Sequence, residues 1–459
     1  MQGKAMNMPP SFDLQQIKTV VIVMMENRSF DHMLGHLSLP PFGARTDVTG
    51  LSRTSWTSYA NDAPDERPHM PFAMRSDPRL PHDQPHERSF VATQIGPNRE
   101  MTGFVRAYYD FAEAKSFSGV VGQDHPSPMG FFTPEMVPIT DFLAQNFCVC
   151  DHWFAPLPAS TMPNRLMFLA GDAHVDLTSG LVLDPGPLLL DWLSARRKTW
   201  RVYHDGLFSF FTLFLRPDVL GPNFKRFTSL AADLAADDVP EVILIEPTYH
   251  DAPHFHANDN HPPLQIGAGE HFLRDVYDVL TGSKQWSNML VVFTHDEHGG
   301  FFDHVPPPKI PYSPPNGATY TDGFPTTGPR VPAIVASPFV SRKAYNGVFD
   351  HTSILQFLAE RFDPTGPGYS DTVNARKGLG IESLSAVLSP AAPATLAAAS
   401  VPPAPDSPPE PFRVESILTP GSAGTGALGA AFVQAGQHYM TNHLDEAREK
   451  LPELWHILR

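Results

Sequence analysis

Short apolar runs alternate with segments of helical periodicity along most of this chain. The first run, Val20-Val21-Ile22-Val23-Met24-Met25, closes on Glu26-Asn27. Another, Met289 to His295, closes on Asp296-Glu297. Unbroken apolar runs of this length predict strands buried on both faces, as in parallel sheets. Trp200–Tyr203, Val242–Ile245 and Val331–Ala336 read the same way. Helices are predicted between them. Pro138 to Asp151 contains a helix and then a strand, and Thr161 to Gly171 opens a helix whose Pro163 sits harmlessly in the first turn. Gly269–Leu280 and His351–Arg361 are two more; in the former, Phe272, Val276, Val279 and Leu280 recur at helical spacing. Strand and helix alternate, so the expected class is α/β: a mainly parallel sheet sandwiched by helices.

Punctuation marks the rest. Residues 41–100 are polar, rich in Pro and His and poor in periodicity, and predict a long loop excursion over the face where the strands end. Composition turns to Pro and Ala from about Ser389 to Phe412, the pattern of a semi-rigid linker. The expected organisation is a principal domain over 1–388, a linker over 389–412 and a helical tail over 413–459. The tail reads more readily as packed on the same domain than as a delivery or docking element.

A length of 459 residues and 42% hydrophobic content suffice for a large core. The 49 prolines are about twice the usual share of roughly 5%, which agrees with long stiffened loops. A net charge of −16 argues against nucleic acid as a partner and against simple adhesion to an anionic membrane. Cys148 and Cys150, the two cysteines, predict a pair of buried thiols beside a core strand rather than a local disulfide or zinc site. The first sixteen residues carry no signal-peptide pattern, and no stretch approaches the ~20 apolar residues of a membrane span. The expectation is a chain with no transmembrane segment, cytoplasmic by default, with non-classical export as the other route.

The acids at the strand ends then acquire meaning. Ligands of open α/β sheets gather beyond the carboxyl ends of the strands. If the two strands are neighbours, Glu26, Asn27, Asp296 and Glu297 bring hard oxygen donors together, and such donors hold a cation. The ten residues from His295 to His304 hold two adjacent acids, three histidines and two glycines, a density that would also suit zinc, although H-E-x-x-H is absent. Ser160-Thr161 lies at a predicted helix start, where unpaired N–H groups favour phosphate. A hydroxyl there is either an N-cap or a metal-activated nucleophile. His86, His204 and His261 are candidates to bind phosphate oxygens or protonate a leaving group.

The ordered motifs VVIVMMENRSFDHMLG, T-M-PNR, NDNHPP and THDEHGGFFDHVPPP resemble the bacterial phosphoesterase family, which includes phospholipases C and a class of acid phosphatases. PRVPAIVASPF and FDHTSILQFLAERF look like its later blocks, so the resemblance runs from about residue 17 to 365. It implies an alkaline-phosphatase-like fold and makes 1–388 the catalytic domain. It implies one divalent metal or iron ion, of unspecified identity, held by Glu26, Asn27, Asp296 and Glu297. It matches Thr161, not Ser160, to the nucleophile. His86 fits a D-x-x-H block through Asp83, His261 fits N-D-x-H-P-P, and His204 fits loosely. Asn164, Asp303 and His304 are the implied substrate-binding residues. The expected activity is hydrolysis of a phospholipid or small phosphate ester, foremost as a phospholipase-C-like phosphodiesterase. The alternatives are an acid phosphatase acting on soluble monoesters and, from another class, an exported effector or an inactive binding module.

Overall fold

The computed structural model describes residues 12–40, 42, 45–76, 80, 82–251, 255–389, 401–405 and 427–451. Its strands are β1 (Thr19–Met25), β2 (Phe72–Ala73), β3 (Gly130–Phe131), β4 (Cys148–Cys150), β5 (Trp200–His204), β6 (Phe224–Arg226), β7 (Val242–Glu246), β8 (Met289–His295), β9 (Ala333–Ala336) and β10 (Ala344–Tyr345). Eight of them form one sheet in the order β10-β4-β9-β8-β1-β7-β5-β6, and β2 pairs β3 separately. β1 and β8 are buried at all seven positions, so side chains on both faces meet covering layers. The apolar runs therefore pair at the centre of the sheet, as their composition requires.

Register does the positioning. Met25 lies opposite His295 in the parallel pair β1/β8, so Glu26 and Asp296 leave the sheet side by side. On the other side of β1, Val23 lies opposite Ile245 of β7. β9 departs from the expected direction: it runs antiparallel to both β8 and β4. An apolar run predicts burial but not polarity. The segment joining β8 to β9 carries no helix to return the chain to the starting edge, so the chain re-enters in reverse.

The polar excursion is more ordered than its composition predicts. It contains the helix Arg88–Ile95 and runs into the helix Phe104–Ala114. Val91, Ile95, Phe104 and Tyr108 join Tyr59 and Phe302 in a second apolar cluster. Asn61 Oδ1 accepts from Phe104 N at 2.7 Å, a cap supplied from outside the helix. A short helix with three buried positions, one of them the polar Gln94, leaves almost no periodic trace. Cys148 and Cys150 are free and buried, as expected.

The described part of the tail packs onto the large core. Leu428, Ala431, Phe432, Ala435 and Tyr439 of the helix Ala427–Asn442 belong to the main hydrophobic cluster. Tyr439 donates to the carbonyl of Arg216 at 2.9 Å. Of the expected linker, only Ser389 and residues 401–405 are described; 390–400, 406–426 and 452–459 lie outside the described residues. Among the described residues no helix is long and apolar enough to cross a membrane.

Glu270, buried near the start of the helix Gly267–Thr281, accepts from the backbone N–H groups of Ile139 at 2.6 Å and Thr140 at 3.0 Å. It thus caps the Pro138–Asn146 helix from a neighbouring element. Glu270→Ala leaves those N–H groups unpaired and should lower stability by about 1–3 kcal/mol in urea unfolding. An unchanged midpoint would show that the cap is dispensable.

Candidate active site

Beyond the carboxyl ends of β1 and β8 the chain turns at once. Asn27 has φ +56°, and its N–H donates to Asp296 Oδ1 at 3.0 Å. Asp296 N donates back to the carbonyl of Met25 at 3.1 Å, and Arg28 N to that of Glu297 at 3.0 Å. Gly299 and Gly300 have φ +62° and +75°. A Cβ on Gly299 would fall 2.0 Å from the Asn27 carbonyl oxygen, and one on Gly300 would fall 2.6 Å from that of Pro85. The double glycine therefore lets three backbone segments meet over the strand ends.

Thr161 is the first residue of the helix Thr161–Leu169 and is buried. Its hydroxyl lies 3.2 Å from Glu26 Oε2 and 3.4 Å from Asn27 Oδ1. Ser160 stands at the N-cap, but its Oγ accepts from Thr178 N at 3.0 Å instead of capping the helix. Thr178 Oγ1 takes that duty, accepting from Met162 N at 2.9 Å. Neither hydroxyl of the Ser-Thr pair is a cap, and Thr161 faces the acids.

One turn further on the same helical face stands Arg165. It bridges Glu26 Oε1 at 2.6 Å and Asp296 Oδ2 at 3.3 Å. It also donates to the carbonyls of Met24 at 3.2 Å and Met25 at 3.3 Å. The guanidinium does not balance the site. Burial, opposed by Arg165, raises the Glu26 carboxyl above its ordinary range. Burial and then Glu26 push Asp296 up to about 6. Burial pushes Glu297 up to about 8 against the pull of His86. Glu297 Oε1 is buried with no hydrogen-bond partner among the described residues. A donor set of buried carboxylates short of positive charge, with one oxygen unpartnered, fits an oxygen-liganded cation.

The excursion and the loop after β7 add a rim. His86 Nδ1 donates to the carbonyl of Gln84 at 2.7 Å, which leaves Nε2 3.4 Å from Asn27 Nδ2. Burial disfavours the charged ring of His86, but Glu297, Asp83 and Glu87 outweigh it and raise it to about 10. His261 Nδ1 is held by the Pro262 carbonyl, and its Nε2 lies 3.8 Å from Asp83 Oδ2. Asp83, His86 and His261 can offer ligand atoms all within 4.8 Å of one another. Asp259 anchors this loop: its carbonyl accepts from Glu26 N at 2.8 Å and its Oδ1 from His261 N at 3.0 Å.

The other candidates sit apart. His204 ends β5, two strands from β1, with Nδ1 on the Gly206 carbonyl at 2.8 Å. Burial, with Arg226 beside it, lowers it to about 4, and it makes no hydrogen bond to the Thr161 cluster among the described residues. Asn164, expected to bind substrate, is buried and spends its polar atoms on the backbone. Its Oδ1 accepts from Leu157 N at 2.9 Å, and its Nδ2 donates to the carbonyls of Ala159 at 2.8 Å and Ser160 at 3.0 Å, so it shapes the turn before Thr161. Asp303 and His304, expected to bind substrate, are paired within the protein. Asp303 pairs with Arg330 Nε at 2.9 Å, and His304 Nδ1 with Asp31 Oδ2 at 2.6 Å, within a network behind the site. Arg330 also reaches Asp31 at 3.1 Å.

Sequence reasoning passed over Arg28, His351 and Asp259, and it noted Arg165 without giving it a role. Arg165 had a signal, four positions after Thr161 on one helix. Arg28, whose Nε donates to the Asn260 carbonyl at 2.8 Å, and His351, whose Nε2 donates to that of Asp296 at 2.7 Å, act on backbone and had none.

Residues 17–364 match the model of the phosphoesterase family. The chain belongs to that family, whose members are phosphoric ester hydrolases. It is 31% identical to non-specific phospholipase C3 of Arabidopsis thaliana over 76% of this chain and 70% of that one. It is 26% identical to phospholipase C A of Mycobacterium tuberculosis over 76% and 73%. A solved protein of the alkaline phosphatase superfamily from Vibrio parahaemolyticus shares 11% identity over 50% of this chain and 60% of that one, at a TM-score of 0.31. A likeness at that score carries no weight beside the family match.

Arg330 is fully buried between two acids, so Arg330→Met should cost about 3–5 kcal/mol in urea unfolding. KM of the folded variant should stay within about twofold. A large KM change with little loss of stability would return Asp303 and His304 to the substrate.

Proposed function

We propose that this protein is a metal-dependent phospholipase-C-like phosphodiesterase with Thr161 as nucleophile. The observation that carries the reading is Thr161 Oγ1, 3.2 Å from Glu26 and 3.4 Å from Asn27, at the N-terminus of a helix that opens onto buried acids. Glu26, Asn27, Asp296 and Glu297 would hold one divalent metal or iron ion, which when bound supplies positive charge to the nucleophile and to the phosphate. Thr161 directs its hydroxyl proton toward Glu26 Oε2. Its oxygen attacks phosphorus in line, and the bond to the leaving alkoxide breaks. With Nδ1 of His261 fixed on the Pro262 carbonyl, Nε2 is the atom that gives the alkoxide its proton. His204, with Nδ1 on the Gly206 carbonyl and no hydrogen bond to the Thr161 cluster among the described residues, is not given the step. Water then hydrolyses the phosphothreonine, and positioning and charge supply most of the acceleration.

The names of the relatives favour a diester, and phospholipid is the leading substrate. The floor itself recognises only a phosphoryl group, so a soluble monoester is the competing substrate. A second reading of the rim is favoured by the 4.8 Å grouping: Asp83, His86 and His261 hold a cation themselves.

Thr161→Ala should lower turnover by at least about three orders of magnitude and leave the unfolding midpoint unchanged. Near-normal turnover in that variant would sink the assignment. Chelation should abolish turnover and added metal restore it. Wild-type rates on phosphatidylcholine vesicles, p-nitrophenyl phosphorylcholine and p-nitrophenyl phosphate separate diester from monoester. One metal per chain, kept in Asp83→Asn and lost in Asp296→Asn, supports the site on the strand ends. Two per chain, one lost in Asp83→Asn, supports the second reading.

A further inference from the structure

The helix Ala427–Asn442 lies beyond the segment that matches the family, yet it reaches the back of the active site. Phe432 is fully buried. Its ring stacks on Tyr249 at 5.7 Å and 17°, and on His250 at 5.1 Å and 25°. Tyr249 is one side chain from the acids: its hydroxyl accepts from Arg165 at 3.4 Å, and its ring lies 5.4 Å beneath the same guanidinium. Phe210 flanks Arg165 at 5.1 Å and meets Phe432 edge-on at 6.5 Å. Arg165 in turn fixes Glu26 and Asp296.

Gln434 Oε1 of the same helix stands 3.9 Å from where a Cβ on Gly180 would lie, in the loop whose Thr178 caps the Thr161 helix. The contact that reaches the acids runs through Phe432, Tyr249 and Arg165. Stacked rings resist tilting, and a guanidinium between two rings follows them.

We propose that the C-terminal helix is a positioning element of the active site, acting through Phe432 and Tyr249 on Arg165. This inference rests on the Thr161 reading above. Removing the ring lets the guanidinium and its carboxylates shift, and small shifts at a reacting centre are costly in rate.

The test uses the full chain, a soluble p-nitrophenyl ester and a temperature at which near-UV circular dichroism shows every variant folded. Phe432→Ala should lower kcat roughly ten- to a hundredfold with KM within about twofold. Phe432→Leu keeps most of the volume but no flat face and should lower kcat less. Tyr249→Phe removes the hydroxyl that Arg165 meets. Combined with Phe432→Leu it should fall short of the product of the two single losses, because both act through Arg165. A folded Phe432→Leu with wild-type kcat overturns the proposal, as do losses that multiply. If Phe432→Ala does not fold, Phe432→Leu and the cycle with Tyr249→Phe decide. Thr161→Ala run alongside separates the failures. An active Thr161→Ala sinks the site reading, whereas an inactive one beside a wild-type Phe432→Leu sinks only the tail's role.

Discussion

Three buried carboxylates and one guanidinium set the terms for everything around them. Glu26, Asp296 and Glu297 are fully buried, and Arg165 bridges the first two. Two unit charges 4 Å apart interact by about 4 kcal/mol at an effective dielectric of 20. Taking each charge out of water costs several kcal/mol. One arginine, with the charged His86 beside Glu297, still leaves the three acids in excess, and the carboxyls of all three are raised. The arrangement is stable only with protons or with another cation, and that tension is what a phosphoryl-transfer site can use.

A charge cluster this unfavourable needs a frame that does not relax. The frame is mostly backbone. Glu26 N is tied to the Asp259 carbonyl at 2.8 Å, Asn27 N to Asp296 at 3.0 Å and Asp296 N to the Met25 carbonyl at 3.1 Å. Behind them Arg330 locks Asp31 to Asp303. Four stretches of chain, far apart in sequence, are fixed to one another before any side chain meets substrate. That order of construction explains why Asn164, Asp303 and His304 serve the frame: a site built from crossing loops needs polar side chains to hold the loops.

Much of this was legible in the sequence, for physical reasons that differ residue by residue. The runs that became β1 and β8 were readable because burial on both faces demands unbroken apolar character, and the acids after them because strand ends in α/β sheets face ligands. The Ser160-Thr161 pair was readable as a helix start, and only the family resemblance singled out Thr161. The antiparallel entry of β9 was not, since four apolar residues carry no direction. The helix Arg88–Ile95 was missed because its burial rests on few positions. Arg28 and His351 were invisible because the partners that tie them to the site loops, the carbonyls of Asn260 and Asp296, are recorded by no side-chain motif. Phe432 was invisible because an apolar residue in a tail looks like ordinary packing.

Floor and rim divide the chemistry. The floor, formed by Glu26, Asn27, Asp296 and Glu297, is fixed by strand register, and in the proposed reading it is the part that meets the charge of the phosphoryl group. The rim is built from loops: His86 comes from the polar excursion and His261 from the connection after β7, and the two rings stand 6.0 Å apart. Loops can change length without disturbing register, so in the proposed reading the group beyond the phosphate falls to the part of the molecule least constrained by the fold. That is why family membership settles the ester class while leaving the alcohol open. The tail meets the site elsewhere. It touches neither rim histidine among the described contacts, but meets Tyr249 and so the floor. A change there should act on the rate of the phosphoryl step rather than on which ester is accepted, because the residue it reaches, Arg165, holds Glu26 and Asp296 in place.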